Sequence, residues 1–376
     1  MKKSIYLLAL SLLAVSCYEQ IVIPVGDDEA VGVMNAQLNT LDTVHTIQLS
    51  VSQKSDVQGL TGADVRVFVN STLVATAKEI VPLNPDITIW DGYHSHKGPW
   101  ETDYTFEADF RPGDEVRIEA RKGEIELSST LTVPAATYLS SVDTSTVQMT
   151  YMGDTSTYLQ AKMVFNDLPG MSFYRLSGRM VDEVAYLDES GEPAPGLSGT
   201  TENTMSLETG FDPIISEGTG KTGGADIGAL LKAENSYHCF ADTPFSGEEC
   251  TIRPLVFFSH LSDGYYWYYP DFLDNIENPD WAAIDAMDRR VQRRWIIQLR
   301  SLDFAQYHYI KALENLDTFG EDMSFLVEPT TLPSNVEGGL GFVGMETVTE
   351  YTFCEETCVL PGSDGIVYYG GGYYED

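Results

Sequence analysis

The sequence predicts a mainly β protein, with an immunoglobulin-like sandwich at residues 31–137 and a second β-rich domain with one packed helix at residues 138–376. Polar and apolar residues alternate with period two in the first region, for example at 45–51 and 115–120. Such alternation places one set of side chains in a core and the other in water. Turn-forming residues, including Gly62 and Pro112, divide the region into seven or eight short strands, which is typical of an antiparallel sandwich.

The second region is predicted to contain further strands and a helix. Its clearest strands are expected at residues 158–165, 172–181, 251–258 and 293–299. Residues 182–228 are rich in Gly, Ser, Thr and Glu, so long loops are expected there.

A helix is expected near residues 302–318, because Ser301 can cap it, Asp303 suits its first turn and Gly320 follows its end. Its apolar residues form one stripe that we expect to pack on the sheet. They are Leu302, Ala305, Tyr309, Ala312, Leu313 and Leu316. A shorter helix is expected within residues 280–289.

The N-terminal residues have the pattern of an exported lipoprotein. Lys2 and Lys3 precede an apolar run at residues 5–15, and Ser16 precedes Cys17. As a helix that run would be roughly 16 Å long, too short to span a bilayer, so residues 1–16 are predicted to be a signal peptide. Lipidation of Cys17 would make residues 17–30 a tether to the membrane. The alternative is an ordinary signal peptide that happens to end beside a cysteine.

The charge balance argues against a nucleic-acid partner. The chain has 22 basic and 57 acidic residues, a formal net charge of −35. A field of that sign repels nucleic acid and anionic lipid and attracts cations. Solubility on an exposed surface is the simpler interpretation.

Four further cysteines are candidates for disulfides, as expected in an exported chain. Local pairs are favoured: Cys239 with Cys250 around a loop, and Cys354 with Cys358 around a short hairpin. A four-cysteine zinc site is the alternative, although the spacings differ from those of a zinc ribbon.

Several motifs, taken in order, resemble the domain of unknown function 4249 family of exported bacterial lipoproteins. They are the lipobox at Cys17, 64–67 with Asn70 and 73–75, 110–114, 132–134, 167–170 with 173–176, Phe258 and Ser259 with Asp263 and Gly264, the helix residues Tyr307, Tyr309, Ala312 and Leu313, and 333–342. The resemblance covers nearly the whole chain, and 333–342 is its most specific part. The acidic, aromatic stretch 268–288 and the cysteine pairs depart from the family pattern.

The resemblance implies an accessory lipoprotein of the outer membrane that accompanies a TonB-dependent transporter. It also implies that the first region resembles the sandwich of carboxypeptidase regulatory-like domains. No catalytic residue comes with the family. The glycines of 333–342 permit positive φ or close backbone approach, and a structural role is favoured over a partner contact.

No pattern of catalytic residues stands out. Gly218–Thr222 lacks the first glycine of a phosphate-binding loop, since Ile215 stands there. His94 and His96 are two ligands at most, and the sequence has neither HExxH nor GxSxG. We therefore expect a protein without enzymatic activity and without a cofactor.

An aromatic run beside acidic residues is the candidate ligand site. Tyr265, Trp267 and Tyr269 would share one face of a strand, followed by Asp271 and Asp274. Exposed rings beside carboxylates could stack on a glycan or peptide, and the acids could hold calcium. A buried aromatic strand that leads into a solvated acidic loop is the alternative.

The sequence thus favours a non-enzymatic accessory or ligand-binding lipoprotein of the outer membrane, on the cell surface rather than the periplasmic face. The alternatives are a glycan- or peptide-degrading enzyme and a calcium-stabilised adhesion protein. Because 57 acidic residues would bring some carboxylates together in any fold, paired carboxylates alone do not indicate a glycosidase.

Overall fold

The computed structural model describes residues 30–53, 56–80, 88–90, 95–97, 101–151, 154–217, 235–257, 272–273, 276, 279–319, 332–354 and 357–360. No helix within these ranges is long and apolar enough to cross a membrane.

Strands make up most of the described chain. Those of the first region are β1 (Val31–Asn39), β2 (Val44–Gln53), β3 (Asp56–Gly59), β4 (Asp64–Val69), β5 (Thr72–Thr76), β6 (Lys78–Glu79), β7 (Thr88–Trp90), β8 (Ser95–Lys97), β9 (Thr102–Glu107), β10 (Glu115–Lys122) and β11 (Ile125–Thr132). Those of the second are β12 (Leu139–Tyr151), β13 (Asp154–Asn166), β14 (Phe173–Leu187), β15 (Pro193–Thr204), β16 (Leu207–Glu208), β17 (Cys239–Ala241), β18 (Glu249–Ile252), β19 (Leu255–Phe257), β20 (Arg289–Leu302), β21 (Val343–Cys354) and β22 (Cys358–Leu360). Two described helices accompany them, α1 (Trp281–Asp285) and α2 (Phe304–Phe319).

The mainly β fold is confirmed, and its first region is a two-layer sandwich. One layer is a four-stranded sheet in the order β11-β10-β4-β5. The other is formed by β1, β2 and β9, which belong to a larger sheet. Alternate residues of each strand, such as Ile47, Val67 and Ile118, are fully buried in the core between the layers.

The larger sheet continues without a break into the second region. Its main path is β15-β14-β20-β21-β1-β2-β9-β6, so the last long strand lies beside the first. β1 and β21 pair in parallel, with Ala36 opposite Val343. Val336, Val343 and Met345 consequently pack in the core of the first sandwich, across the boundary predicted at residues 137 and 138.

A second sandwich fills the other half of the molecule. A five-stranded sheet, β12-β13-β19-β16 with β18 beside β13, shares an apolar core with β14 and β20. Phe165, Tyr174, Phe240 and Trp295 are among its large buried side chains. The Tyr174 hydroxyl donates a hydrogen bond to the carboxylate of the buried Asp167, which satisfies the polar group of this core tyrosine.

The long loops predicted within residues 182–228 are wrong over much of that range. β14 runs on to Leu187 and pairs with β15 along eight register positions, with a bulge near Ala185. Glycine, proline, serine and threonine in β15 obscured the strand, because it lies at the edge of the sheet and most of its side chains face water. Residues 218–228 lie outside the described ranges.

The long helix is confirmed, although its cap and its buried face differ from those expected. Asp303 is the cap, since its Oδ1 accepts from the backbone N–H of Gln306 at 2.6 Å, whereas Ser301 belongs to β20. The buried positions are Gln306, Ile310 and Glu314, and Leu316 is 39% exposed. The predicted apolar stripe is therefore wrong, because this helix lies on a polar part of the sheet. The shorter helix is confirmed as α1, capped by Asp280.

Residues 332–342 connect the second region to the first through backbone contacts. Leu340 bridges to Val33 of β1, and Glu337 bridges to Ser128 of β11. Gly338 has φ 79° and Gly341 has φ 111°, a conformation that side chains rarely adopt. A Cβ atom at Gly338 would overlap the carbonyl oxygen of Glu126. These glycines allow the close backbone approach that the sequence suggested.

We expect Gly338→Ala to destabilise the protein more than Gly191→Ala does. Both glycines have similar positive φ, 79° and 82°, but a Cβ at Gly191 meets open space. Gly191→Ala should cost about 1 kcal/mol for the backbone conformation alone. Gly338→Ala adds a backbone clash, so its total cost should be at least about 3 kcal/mol. Urea unfolding of both variants measures this difference, and equal losses would contradict the proposed close approach.

Candidate functional site

The predicted ligand-binding and lipidation residues cannot be placed in the structure. Cys17, Tyr265, Trp267, Tyr269, Asp271 and Asp274 lie outside the described residues. So do Gly218–Thr222 and His94, while His96 falls in β8, whose side chains are not described. Among the described residues, no group of three or more His, Cys, Asp or Glu side chains is arranged to hold a metal ion.

The local pair Cys239–Cys250 is not formed, and both are free, buried thiols. Cys239 lies opposite Arg175 in the large sheet, whereas Cys250 lies opposite Phe165 in the five-stranded sheet. Burial raises the pKa of each thiol to about 12, so both remain protonated at neutral pH. They act as small apolar side chains in the core.

The pair Cys354–Cys358 is also not formed, and the hairpin predicted around it is wrong. β21 and β22 both run antiparallel to β20, with Cys354 opposite Arg294 and Cys358 opposite Val291. Arg294 and Val291 are three residues apart on β20, so the Cα atoms of Cys354 and Cys358 lie about 10 Å apart. That exceeds the roughly 7 Å over which two Cα atoms can be bridged by a disulfide.

A buried carboxylate lies at the centre of the polar region under α2. Glu346 is fully buried and forms ion pairs with Arg175 at 3.3 Å and with Arg300. The side-chain amide of Gln306 donates to Glu346 Oε1 at 2.9 Å, and its oxygen accepts from the N–H of Met345 at 3.0 Å. We call Glu346, Arg175, Arg300 and Gln306 the Glu346 cluster. It joins β14, β20, β21 and α2, which explains why the buried face of the helix is polar.

Further polar and charged side chains lie next to the Glu346 cluster on the same face of the sheet. Arg179 pairs with Glu202 and Glu350, each at 3.1 Å, and Gln298 donates to Glu350 at 2.6 Å. Ser177 donates to Gln298 at 2.9 Å and accepts from Arg300. Charges of both signs therefore alternate along this face and largely compensate one another.

An open cleft lies where α2 meets the outer face of the first sandwich. It holds about 430 Å³ and is lined by Asn35, Ala36, Gln37, Asp42, Val44, His45, Thr46, Gln48, Tyr309 and Phe342. We call it the junction cleft. Alternation places Asn35 and Gln37 of β1, and Thr46 and Gln48 of β2, on the face opposite the core.

Two aromatic rings from the second region close one side of the junction cleft. Tyr309 stacks on Phe342 with centroids 4.2 Å apart and planes 9° apart. The N–H of Phe342 donates to Asn35 Oδ1 at 3.0 Å, which fixes the ring relative to β1. Gln48 is held by Glu101, at 2.7 Å. Rings beside amide groups and hydroxyls suit a polar, uncharged ligand with some apolar surface, such as a glycan or a peptide.

His45 lines the cleft without offering an acid or base there. Its ring packs against Phe106 and Phe110 in the core and is 3% exposed. Its Nε2 lies 3.1 Å from the backbone carbonyl oxygen of Ala108. Burial lowers the pKa of this histidine, so the ring is neutral at pH 7. His45 is therefore a core residue.

A second, smaller pocket of about 260 Å³ lies around His238. Its lining residues are Ser206, Leu207, Glu208, Thr209, Gly210, Ser216, Asn235, Ser236 and His238. His238 has φ 56°, and its Nδ1 lies 3.0 Å from the Thr209 hydroxyl. Burial, with the nearby Arg175, lowers the pKa of His238 to about 4, so this ring is also neutral at pH 7.

The sequence predicts the strand residues that line the junction cleft, but not the aromatic residue that lies beside them. The period-two alternation of β1 and β2 identifies Asn35, Gln37, Thr46 and Gln48 as outward-facing residues. It does not show that Tyr309, more than 260 positions further along the chain, lies beside them. That depends on the pairing of β1 with β21, a long-range contact.

Comparison with known proteins agrees with the resemblance drawn from the motifs. The family model described as Domain of unknown function (DUF4249) matches residues 18–352. The chain belongs to this family. No curated protein and no solved structure matches it significantly.

We expect Glu346→Gln to destabilise the protein strongly. The variant keeps the shape of the side chain but leaves Arg175 and Arg300 without their buried counter-charge. Breaking a buried ion pair from one side typically costs about 3–5 kcal/mol. Glu202→Gln is the control, since Glu202 pairs with Arg179 at the surface and should cost less than about 1 kcal/mol. Urea unfolding measures both, and a loss below about 1 kcal/mol for Glu346→Gln would contradict the role of the cluster.

Proposed function

We propose that this protein is a lipid-anchored, non-enzymatic accessory of the outer membrane that binds a ligand for a TonB-dependent transporter. The observation that carries the proposal is the junction cleft, an open site where amide groups, a hydroxyl and a stacked aromatic pair converge. Its position at the meeting of the two regions is common for ligand sites in proteins.

The lining of the cleft supports a neutral, polar ligand. Gln37 and Thr46 are exposed and can both donate and accept hydrogen bonds. Tyr309, stacked on the buried Phe342, supplies apolar surface beside them. Asp42 is the one acidic side chain of the lining, so the ligand class is a glycan or peptide without strong negative charge.

The N-terminal pattern supports the membrane anchor. Cys17 follows the apolar run directly, and a lipidated cysteine there would tether the folded chain through residues 18–29. The net charge of −35 suits a protein that stays soluble at a crowded surface and does not adhere to anionic lipid. We propose that it lies on the cell surface rather than on the periplasmic face.

Extraction of the full lipoprotein in mild detergent should bring down a TonB-dependent transporter in near-equal amount. Cys17→Ser is the matched control, because without its acyl chains the protein should leave the membrane and the transporter should no longer co-purify with it. Mass spectrometry identifies the captured chain. Repeated recovery of the lipoprotein alone, in good yield, would contradict the partnership.

The junction cleft is tested separately by ligand binding. Equilibrium dialysis against neutral oligosaccharides, and in parallel against short uncharged peptides, should show retention of one class by the wild-type protein. Gln37→Ala with Thr46→Ala should weaken that binding at least roughly tenfold, through the loss of about two hydrogen bonds.

The control for the cleft is Thr130→Ala with Thr132→Ala, on the exposed face of β11. These changes should leave binding unaltered. If neither ligand class is retained, or if both double variants bind as the wild type does, the cleft is not the binding site.

A further inference from the structure

β12 is an edge strand with an unusually accessible backbone. It pairs with β13 along nearly its whole length, and it is the terminal strand of the five-stranded sheet. Most residues of β12 have exposed side chains, among them Thr144, Ser145, Thr146, Gln148 and Thr150. No other described strand pairs with β12.

The hairpin pairing shows which backbone groups of β12 face outward. Tyr151 lies opposite Asp154, so only two residues separate them, and such a pair exchanges backbone hydrogen bonds. In an antiparallel ladder these pairs alternate, so the odd-numbered residues of β12 bond to β13. Thr150 and Thr155 form a pair of the other kind, and accordingly their hydroxyls meet at 2.8 Å. The N–H and C=O groups of Thr144, Thr146 and Gln148 therefore point away from β13.

Two other edge strands of the described sheets carry features that hinder pairing, whereas the irregularity of β12 is confined to its start, between Leu139 and Ser141. β15 carries Pro193, Pro195 and two glycines, and β5 is only five residues long with a register irregularity. β12 extends over thirteen residues without proline, glycine, lysine or arginine. Proteins normally block a long, flat edge of this kind with charge, proline or a bulge.

The charge distribution indicates what could pair with this edge. The chain has a net charge of −35, so most of its surface repels a second copy. Residues 144–153, in contrast, contain no charged side chain. Antiparallel pairing about Thr146 would place residues 144–148 of the two copies opposite one another, so only threonine, serine, valine and glutamine would meet there. Such a contact is self-complementary, as a two-fold interface requires.

We infer that β12 joins two copies of this chain by antiparallel pairing across a two-fold axis near Thr146. The pairing occupies the free hydrogen-bonding edge of β12 in each copy, so assembly stops at a dimer. It involves fewer residues than the roughly 20–30 per side of a standard interface, so the dissociation constant should lie between about 10 and about 200 µM. Raising the salt concentration should strengthen the dimer, because it screens the acidic surfaces on either side of the contact.

Sedimentation equilibrium of the purified mature protein from 1 to about 200 µM tests this inference. The wild-type mass should rise with concentration towards two chains and no further, and more steeply at about 0.5 M than at about 0.05 M salt. Thr146→Lys places like charges at the axis and should reduce the association at least about tenfold. Thr146→Pro removes an outward N–H without breaking the bonds to β13, and should have the same effect.

Thr155→Lys is the charge-matched control, since Thr155 lies on the inner strand of the hairpin and is also exposed. It should dimerise as the wild type does, and circular dichroism should show that all variants are folded. A wild-type protein that stays monomeric at the highest concentration and salt would overturn the inference. So would a dimer that Thr146→Lys leaves unchanged, because a different surface would then hold the copies together.

Discussion

The parallel pairing of β1 with β21 determines how the rest of the molecule is arranged. Ala36, near the start of the described chain, lies opposite Val343, near its end. Through this contact the sheets of the two regions become one, and Val343 and Met345 complete the core of the first sandwich. The junction cleft follows from the same contact, because it brings Phe342 and Tyr309 to the outer face of β1 and β2.

The Glu346 cluster reinforces that pairing from the side of the second region. Glu346 lies on β21, opposite Asn39 of β1, and it is fully buried. Its ion pairs reach β14 and β20, and its bond to Gln306 fixes α2. A single carboxylate thereby orients the helix that carries Tyr309 at the rim of the cleft. The junction cleft and the buried charge are parts of one arrangement.

The sequence was most informative where one physical signal dominates. Period-two alternation predicted the β fold and the strands of the first sandwich, and Asp303 and Gly320 located the long helix. The signal failed for α2's buried face, because Gln306 and Glu314 are buried by specific partners rather than by hydrophobicity. It also failed for β15, whose composition resembles a loop, and for the cleft, which depends on contacts between distant residues. The cysteine pairs were predicted from spacing alone, and the sheet separates them.

The contact between β1 and β21 also has a consequence for the order in which the chain can fold. Closing a loop of about 300 residues is slow relative to forming local hairpins, and contacts of such sequence separation slow folding as a whole. The first sandwich cannot complete its core until β21 has paired with β1, so the apolar face of β1 stays uncovered until the C-terminal part of the chain has formed. During that interval the uncovered apolar surface favours aggregation. Truncation near the C-terminus would consequently damage the N-terminal half first.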